Sequence, residues 1–252
     1  MMTRYGEATR KLDPEKLDPE ARKPDWAGFV ITSRSAKLSS AARLLLHEAH
    51  WEAATILIRT ILEDTANLGF ICRKASDAAR RAELFYKSQH LDEHRILKDA
   101  KNDGFDMGLP CEEKRKTNDG YEGYRSALAE LTGGSESGRP GWNGKSIKST
   151  FIEAFGKPCA EYYIQYAWQC MLVHTNCAGF RNAFHTEWFD KFPEVRDEVE
   201  QATPERIAET ATVLIHALAW QVLFVDAIVQ GKGTQRFPGR KEWNELLDEM
   251  GC

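Results

Sequence analysis

Apolar residues recur at helical spacing along most of the chain. Phe29, Val30, Ala36, Leu38, Ala41, Leu44 and Leu45 mark one amphipathic helix from Trp26 to near His47. A second covers Ala49–Lys74 through Ile56, Leu57, Ile58, Ile61, Leu62, Leu68 and Ile71, and Ser76 caps a third that runs to about Lys101. Short connections pack these three antiparallel. Residues 102–120 are polar and broken by Asn102-Asp103-Gly104, Leu109-Pro110 and Asn118-Asp119-Gly120. Tyr121–Leu131 reads as a short helix and Thr132–Lys145 as loop. Ser146–Phe155 leads into the nearly uncharged, aromatic-rich stretch Glu161–Gly179, which so little polar surface would place at the centre of a bundle. Thr203 caps a long apolar helix, Pro204–Val229, that Gly231-Lys232-Gly233 ends.

Neither βαβ alternation nor a run of β-branched residues occurs, so the expected fold is all-α: an antiparallel helical bundle with a long loop-rich insertion between its halves. Residues 1–25 form a charged arm containing the tandem repeat Lys11-Leu-Asp-Pro-Glu15 and Lys16-Leu-Asp-Pro-Glu20. Residues 26–230 make one bundle domain, with 102–145 as the insertion, and 231–252 a tail with a short helix at Lys241–Met250.

Composition narrows the function. A hydrophobic content of 42% over 252 residues supports a core of real size. The net charge of -4, from 34 basic and 38 acidic residues, excludes a nucleic-acid-coating surface, so any RNA contact must be local. Arg59, Glu63 and Asp64 interrupt the run taken as the best membrane candidate, and the N-terminus Met-Met-Thr-Arg-Tyr-Gly-Glu lacks an apolar signal core. A cytoplasmic protein with no membrane partner is expected. Six cysteines without a CxxC pair read as reduced thiols.

Several strings invite a chemical reading. Gly144-Lys145-Ser146 lacks the earlier glycine of a phosphate loop, since position 139 is Arg139, and no strand precedes it. His90 and His94 are four apart on a helix, but a third metal ligand is missing and their neighbours are charged. Cys170 and Cys177 lie roughly 10 Å apart along a helix axis, too far to share one ion with His174. No metal and no cofactor is therefore expected. On the same helix Tyr163, Tyr166, Cys170, His174 and Cys177 share a face, with Gln165, Gln169 and Asn176 on another. Arg59 and Glu63 sit at i and i+4 in the second helix. Turned outward they are an exposed ion pair of little weight; turned inward they join Tyr166 and His174 in one polar cluster. Arg181-Asn182-Ala183-Phe184-His185 places a cation and an imidazole close together, a pair able to cleave RNA without metal.

Glu52-Ala-Ala-Thr-Ile-Leu-Ile-Arg59-Thr-Ile-Leu-Glu63, the Trp142 loop and Tyr162-x3-Tyr166-x3-Cys170-x3-His174 resemble an uncharacterised family of bacterial all-helical proteins, a domain of unknown function. The resemblance spans roughly residues 40–180, with Cys170 near that family's usual small hydroxyl residue, and implies the fold and the cluster. Arg181-Asn182-x2-His185 is similar to the Arg-Asn-x3-His signature of HEPN ribonucleases, with one residue fewer. Those are helical bundles of toxin and phage-defence systems that usually act as dimers. The resemblance implies a metal-independent ribonuclease with His185 or His174 as acid/base and Arg181 or Arg59 stabilising phosphate charge. The alternative is a non-catalytic interaction or scaffold module that forms a homo-oligomer.

Overall fold

In a computed structural model the chain is described over residues 24–134, 141–156, 161–173 and 204–229. The described residues are almost entirely helical: α1 Pro24–His47, α2 Trp51–Cys72, α3 Ala75–Lys87, α4 Gln89–Asn102, α5 Cys111–Thr132, α6 Ile147–Phe155, α7 Glu161–Val173 and α8 Pro204–Val229. The protein is thus an all-α bundle, as its periodicity requires.

The centre of that bundle is α2, not the aromatic stretch at Glu161. Ile58, Ile61, Leu62, Ala66, Leu68 and Ile71 are fully buried, and α1, α3, α6, α7 and α8 all pack against α2. Its polar residues do not prevent this, because Thr55 and Thr65 return their hydroxyls to carbonyls one turn back, on Trp51 and Ile61. α7 packs chiefly on α2 and α6, with Tyr162 also meeting the Trp220 ring of α8, and Ile164 on its outer side is 53% exposed.

Contact register fixes the directions of the helices. Arg59 meets Cys170 and Glu63 meets Tyr166, so α7 runs against α2. Thr65 meets Ala217 and Gln221, and Gly69 lies against Phe224, so α8 runs in the same sense as α2. Gly69 is where three helices close up. A Cβ there would fall 2.7 Å from the Phe224 ring and 2.8 Å from the Ala154 Cβ.

Three sequence expectations change. The helix read from Ser76 to Lys101 is two helices, with Ser88 at the break; its N–H bonds the Leu84 carbonyl and its hydroxyl the Phe85 carbonyl. The insertion read as loop-rich, 102–145, contains the 22-residue helix α5, which begins at Cys111 rather than near Tyr121. Gly120 suggested a break, yet it lies where α4 and α5 touch, and a Cβ would meet His90 at 2.5 Å. Last, Ile207–Val229 in α8 is long and apolar enough by length and composition to cross a membrane, which the run interrupted by Arg59 is not. In the bundle, Ala217, Leu218, Trp220, Phe224 and Val225 of that helix lie in the core.

Loop residue Trp142 joins the two halves. Its indole Nε1–H donates to Asn67 Oδ1 at 2.9 Å, its ring meets Phe70 and Phe85 edge-on, and its carbonyl accepts from the Tyr124 hydroxyl at 2.9 Å. Nearby, Arg81 is buried, donates to the Phe70 carbonyl in the last turn of α2 and pairs with Glu153 at 2.7 Å. Lys145 also binds Glu153. One cation thus closes the α2 C-terminus, where unpaired carbonyls carry partial negative charge.

Candidate functional site

Polar residues of α2 and α7 meet along the contact between these two helices. Arg59 Nε donates to Cys170 Sγ at 3.0 Å, and its Nη2 donates to the Tyr166 hydroxyl at 3.4 Å. That hydroxyl donates in turn to Glu63 Oε2 at 3.3 Å. The guanidinium also lies 5.3 Å from the Tyr166 ring centroid, within cation–π range. Of the residues expected to cluster, Arg59, Glu63 and Tyr166 are therefore brought together. His174, Arg181 and His185 lie outside the described residues.

Helix geometry explains the arrangement. Arg59 and Glu63 are one turn apart on α2, and Tyr166 and Cys170 one turn apart on the opposing α7, so the two rungs interlock. The buried face of α7 is rotated from the expected one. Tyr162, Tyr166 and Gln169 are buried, while Tyr163 and Cys170 are only partly covered. Gln169, expected on a polar stripe, is drawn inward, and its Oε1 has no hydrogen-bond partner among the described residues.

Arg59 reaches the Glu63 carboxylate only through the Tyr166 hydroxyl. Among the described residues no carboxylate oxygen lies within 4.0 Å of the Arg59 guanidinium; its partners are a thiol and a phenol. Burial by itself disfavours its charge, but the hydrogen bonds to Cys170 and Tyr166 outweigh this and raise its pKa. Tyr166 is pushed up too, first by burial and then by the Glu63 charge, so its phenol stays protonated as a donor. A charged guanidinium, a protonated phenol and a carboxylate can hold an oxyanion and orient a proton donor beside it.

A second polar cluster, which the sequence reading missed, lies where α1, α2 and α8 meet. Gln221 Nε2 donates to Ser35 Oγ at 2.9 Å and to Thr65 Oγ1 at 2.8 Å, all three side chains being inaccessible. Ser35 reaches Asp64 Oδ2 at 3.5 Å, and Arg34 approaches Asp64 Oδ1 at 3.6 Å. Burial pushes the Asp64 carboxyl up to about 7, against the pull of Arg34. The signal was present: Asp64 has Ile61 and Leu68 at i−3 and i+4, and Gln221 interrupts an otherwise apolar run.

The two histidines considered for a metal have separate partners. His90 Nδ1 bonds Glu93 at 2.9 Å, whereas His94 Nδ1 bonds Asn118 at 3.2 Å and its ring stacks on Tyr121 at 3.9 Å.

Fold and site together define an all-helical bundle with a polar cluster of Arg59, Glu63, Tyr166 and Cys170 between its central helix and α7. Residues 25–192, more than half of the chain, match DUF5677, a family of unknown function, and the chain belongs to that family. The match includes Arg59, Glu63, Trp142, Tyr166 and Cys170 and stops short of α8. No curated protein and no solved structure matches the chain.

Proposed function

We propose that the chain is a metal-independent, HEPN-like ribonuclease of toxin or defence type that works as a homo-oligomer. The observation that carries this reading is Arg59: a half-buried guanidinium held in place by Cys170 and Tyr166, with no carboxylate oxygen within 4.0 Å among the described residues. In this reading Arg59 stabilises the phosphorane charge, and Tyr166, anchored by Glu63, keeps the guanidinium oriented. His174 moves the proton of the 2′-hydroxyl, and Arg181 with His185 forms the second cation–imidazole pair.

One observation favours the other reading, a non-catalytic homo-oligomeric interaction module. The Ser35–Thr65–Gln221 network is fully paired and inaccessible, which is what a scaffold asks of interior polar groups.

RNA degradation in the presence of a chelator separates the two. The ribonuclease reading expects activity in the wild type and its loss in Arg59→Ala and in His174→Ala or His185→Ala. Equal, negligible activity in all of them discards it in favour of the module.

A further inference from the structure

We propose that the groove between α4, α5 and the 103–110 connection holds single-stranded RNA. It encloses about 670 Å³ and is lined by Lys98 and Lys101 of α4, Phe105 and Met107 of the connection, and Lys114 and Asn118 of α5. That volume falls in the range of ordinary ligand sites.

The connection is built to display an aromatic ring. α4 ends with Gly104 at φ 71°, its N–H bonded to the Lys101 carbonyl at 3.2 Å, and the Phe105 N–H bonded to the Ala100 carbonyl at 2.8 Å. This is a Schellman closure, in which the apolar residue after the glycine ordinarily folds back onto the helix. Phe105 nevertheless leaves 68% of its surface exposed. Asp106 fixes the next turn by accepting from the Gly108 N–H at 3.0 Å and from Lys114 at 3.5 Å. The ring is thus presented by an ordered backbone.

Charge completes the surface. Lys98 and Lys101 stand one turn apart on the groove side of α4, both exposed, and neither has a carboxylate within 4.0 Å among the described residues. Two free ammonium groups beside an exposed ring match a strand whose phosphates lie along lysines while a base stacks on an aromatic face. An acidic peptide fits less well, because a peptide anchor needs an enclosed apolar pocket, whereas of the apolar lining here, Leu97, Ala100, Phe105 and Met107, the Phe105 ring is 68% and Met107 38% exposed. The strand held here is the substrate read for the Arg59 centre, so this inference deepens that reading, and binding is measured apart from cleavage so that either can fail alone.

The test is fluorescence anisotropy of a labelled single-stranded RNA of about a dozen nucleotides, with a chelator present, against the full chain. Phe105→Ala and the double variant Lys98→Gln/Lys101→Gln should each weaken binding by about tenfold or more. The double variant should also flatten the dependence of log affinity on log salt by about 1–1.5. Lys37→Gln, an exposed lysine on α1, should bind as wild type. All these side chains are exposed, so the helical circular dichroism should not change. Three results would overturn the proposal: no binding by wild type, equal loss in Lys37→Gln, or tighter binding of a glutamate-rich peptide than of RNA. RNA cleavage with unaltered binding by the groove variants removes the groove and spares the Arg59 reading. Groove-dependent binding with no cleavage does the reverse.

Discussion

Arg59 spends its Nε–H on the sulfur of Cys170, 3.0 Å away, rather than on the carboxylate of Glu63 one turn along its own helix. Such a carboxylate is the usual partner at that spacing. The Tyr166 hydroxyl takes the space between them, accepting from Arg59 and donating to Glu63. The result is a cation oriented by Cys170 and Tyr166, whose hydrogen bonds outweigh burial and stabilise its charged form.

Ala49 is the one non-glycine with positive φ among the described residues, at 61°. It closes α1 with the bonds Ala49 N–H to Leu46 carbonyl and His50 N–H to Leu45 carbonyl, where glycine is ordinarily found. Ala49→Gly relieves the Cβ strain at some entropic cost and should stabilise the protein by about 0.5–1 kcal/mol. Chemical denaturation checks this, and a lower stability would contradict it.

Trp142→Phe should keep the ring contacts with Phe70 and Phe85 but lose the hydrogen bond to Asn67. Asn67 is 8% exposed, so its carbonyl oxygen is left poorly solvated, at a cost of about 1–3 kcal/mol. The midpoint of urea unfolding reads it directly. An unchanged midpoint would mean that the indole fixes the loop by packing alone.

Asp64 gives the fold a pH dependence of known sign. Its carboxyl is raised from 3.8 to about 7 by burial, opposed by Arg34 and Ser35 and reinforced by Glu63. Between those values the folded state holds a proton that the unfolded state has released, so this group's contribution is greatest below about pH 4 and is lost as pH rises through about 7. Asp64→Asn should flatten the fall in stability between about pH 4 and pH 7. Equal slopes for the two proteins, by denaturation across that range, would remove Asp64 as the source.

The fold was largely legible because the helices announce themselves by period: Pro204–Val229 begins and ends where its proline and the following glycines say. What periodicity could not reveal is which helix is central. α2 carries Thr55, Asp64, Thr65 and Asn67 inside, and its interior position depends on partners as distant in sequence as Gln221 and Trp142. α5 was hidden for a related reason. Its first turns, Cys111–Gly120, are polar and contain a glycine, and their helical state rests on pairing with α4 through His90, His94 and Asn118. Wheel positions put Arg59 and Glu63 one turn apart on one face, and their meeting with Tyr166 was one of the two orientations that spacing allows. Cys170 as the acceptor of the arginine could not be read from spacing, because thiols inside helices ordinarily only pack.

The most direct measurement is the initial rate of RNA cleavage by Arg59→Gln and wild type, compared with a chelator present and with unfolding curves recorded for both. Gln keeps much of the side chain's bulk and removes the charge. The account predicts a loss of about a hundredfold or more with the fold intact, the scale expected when a preorganised charge stabiliser is removed. A rate equal to that of wild type would contradict it.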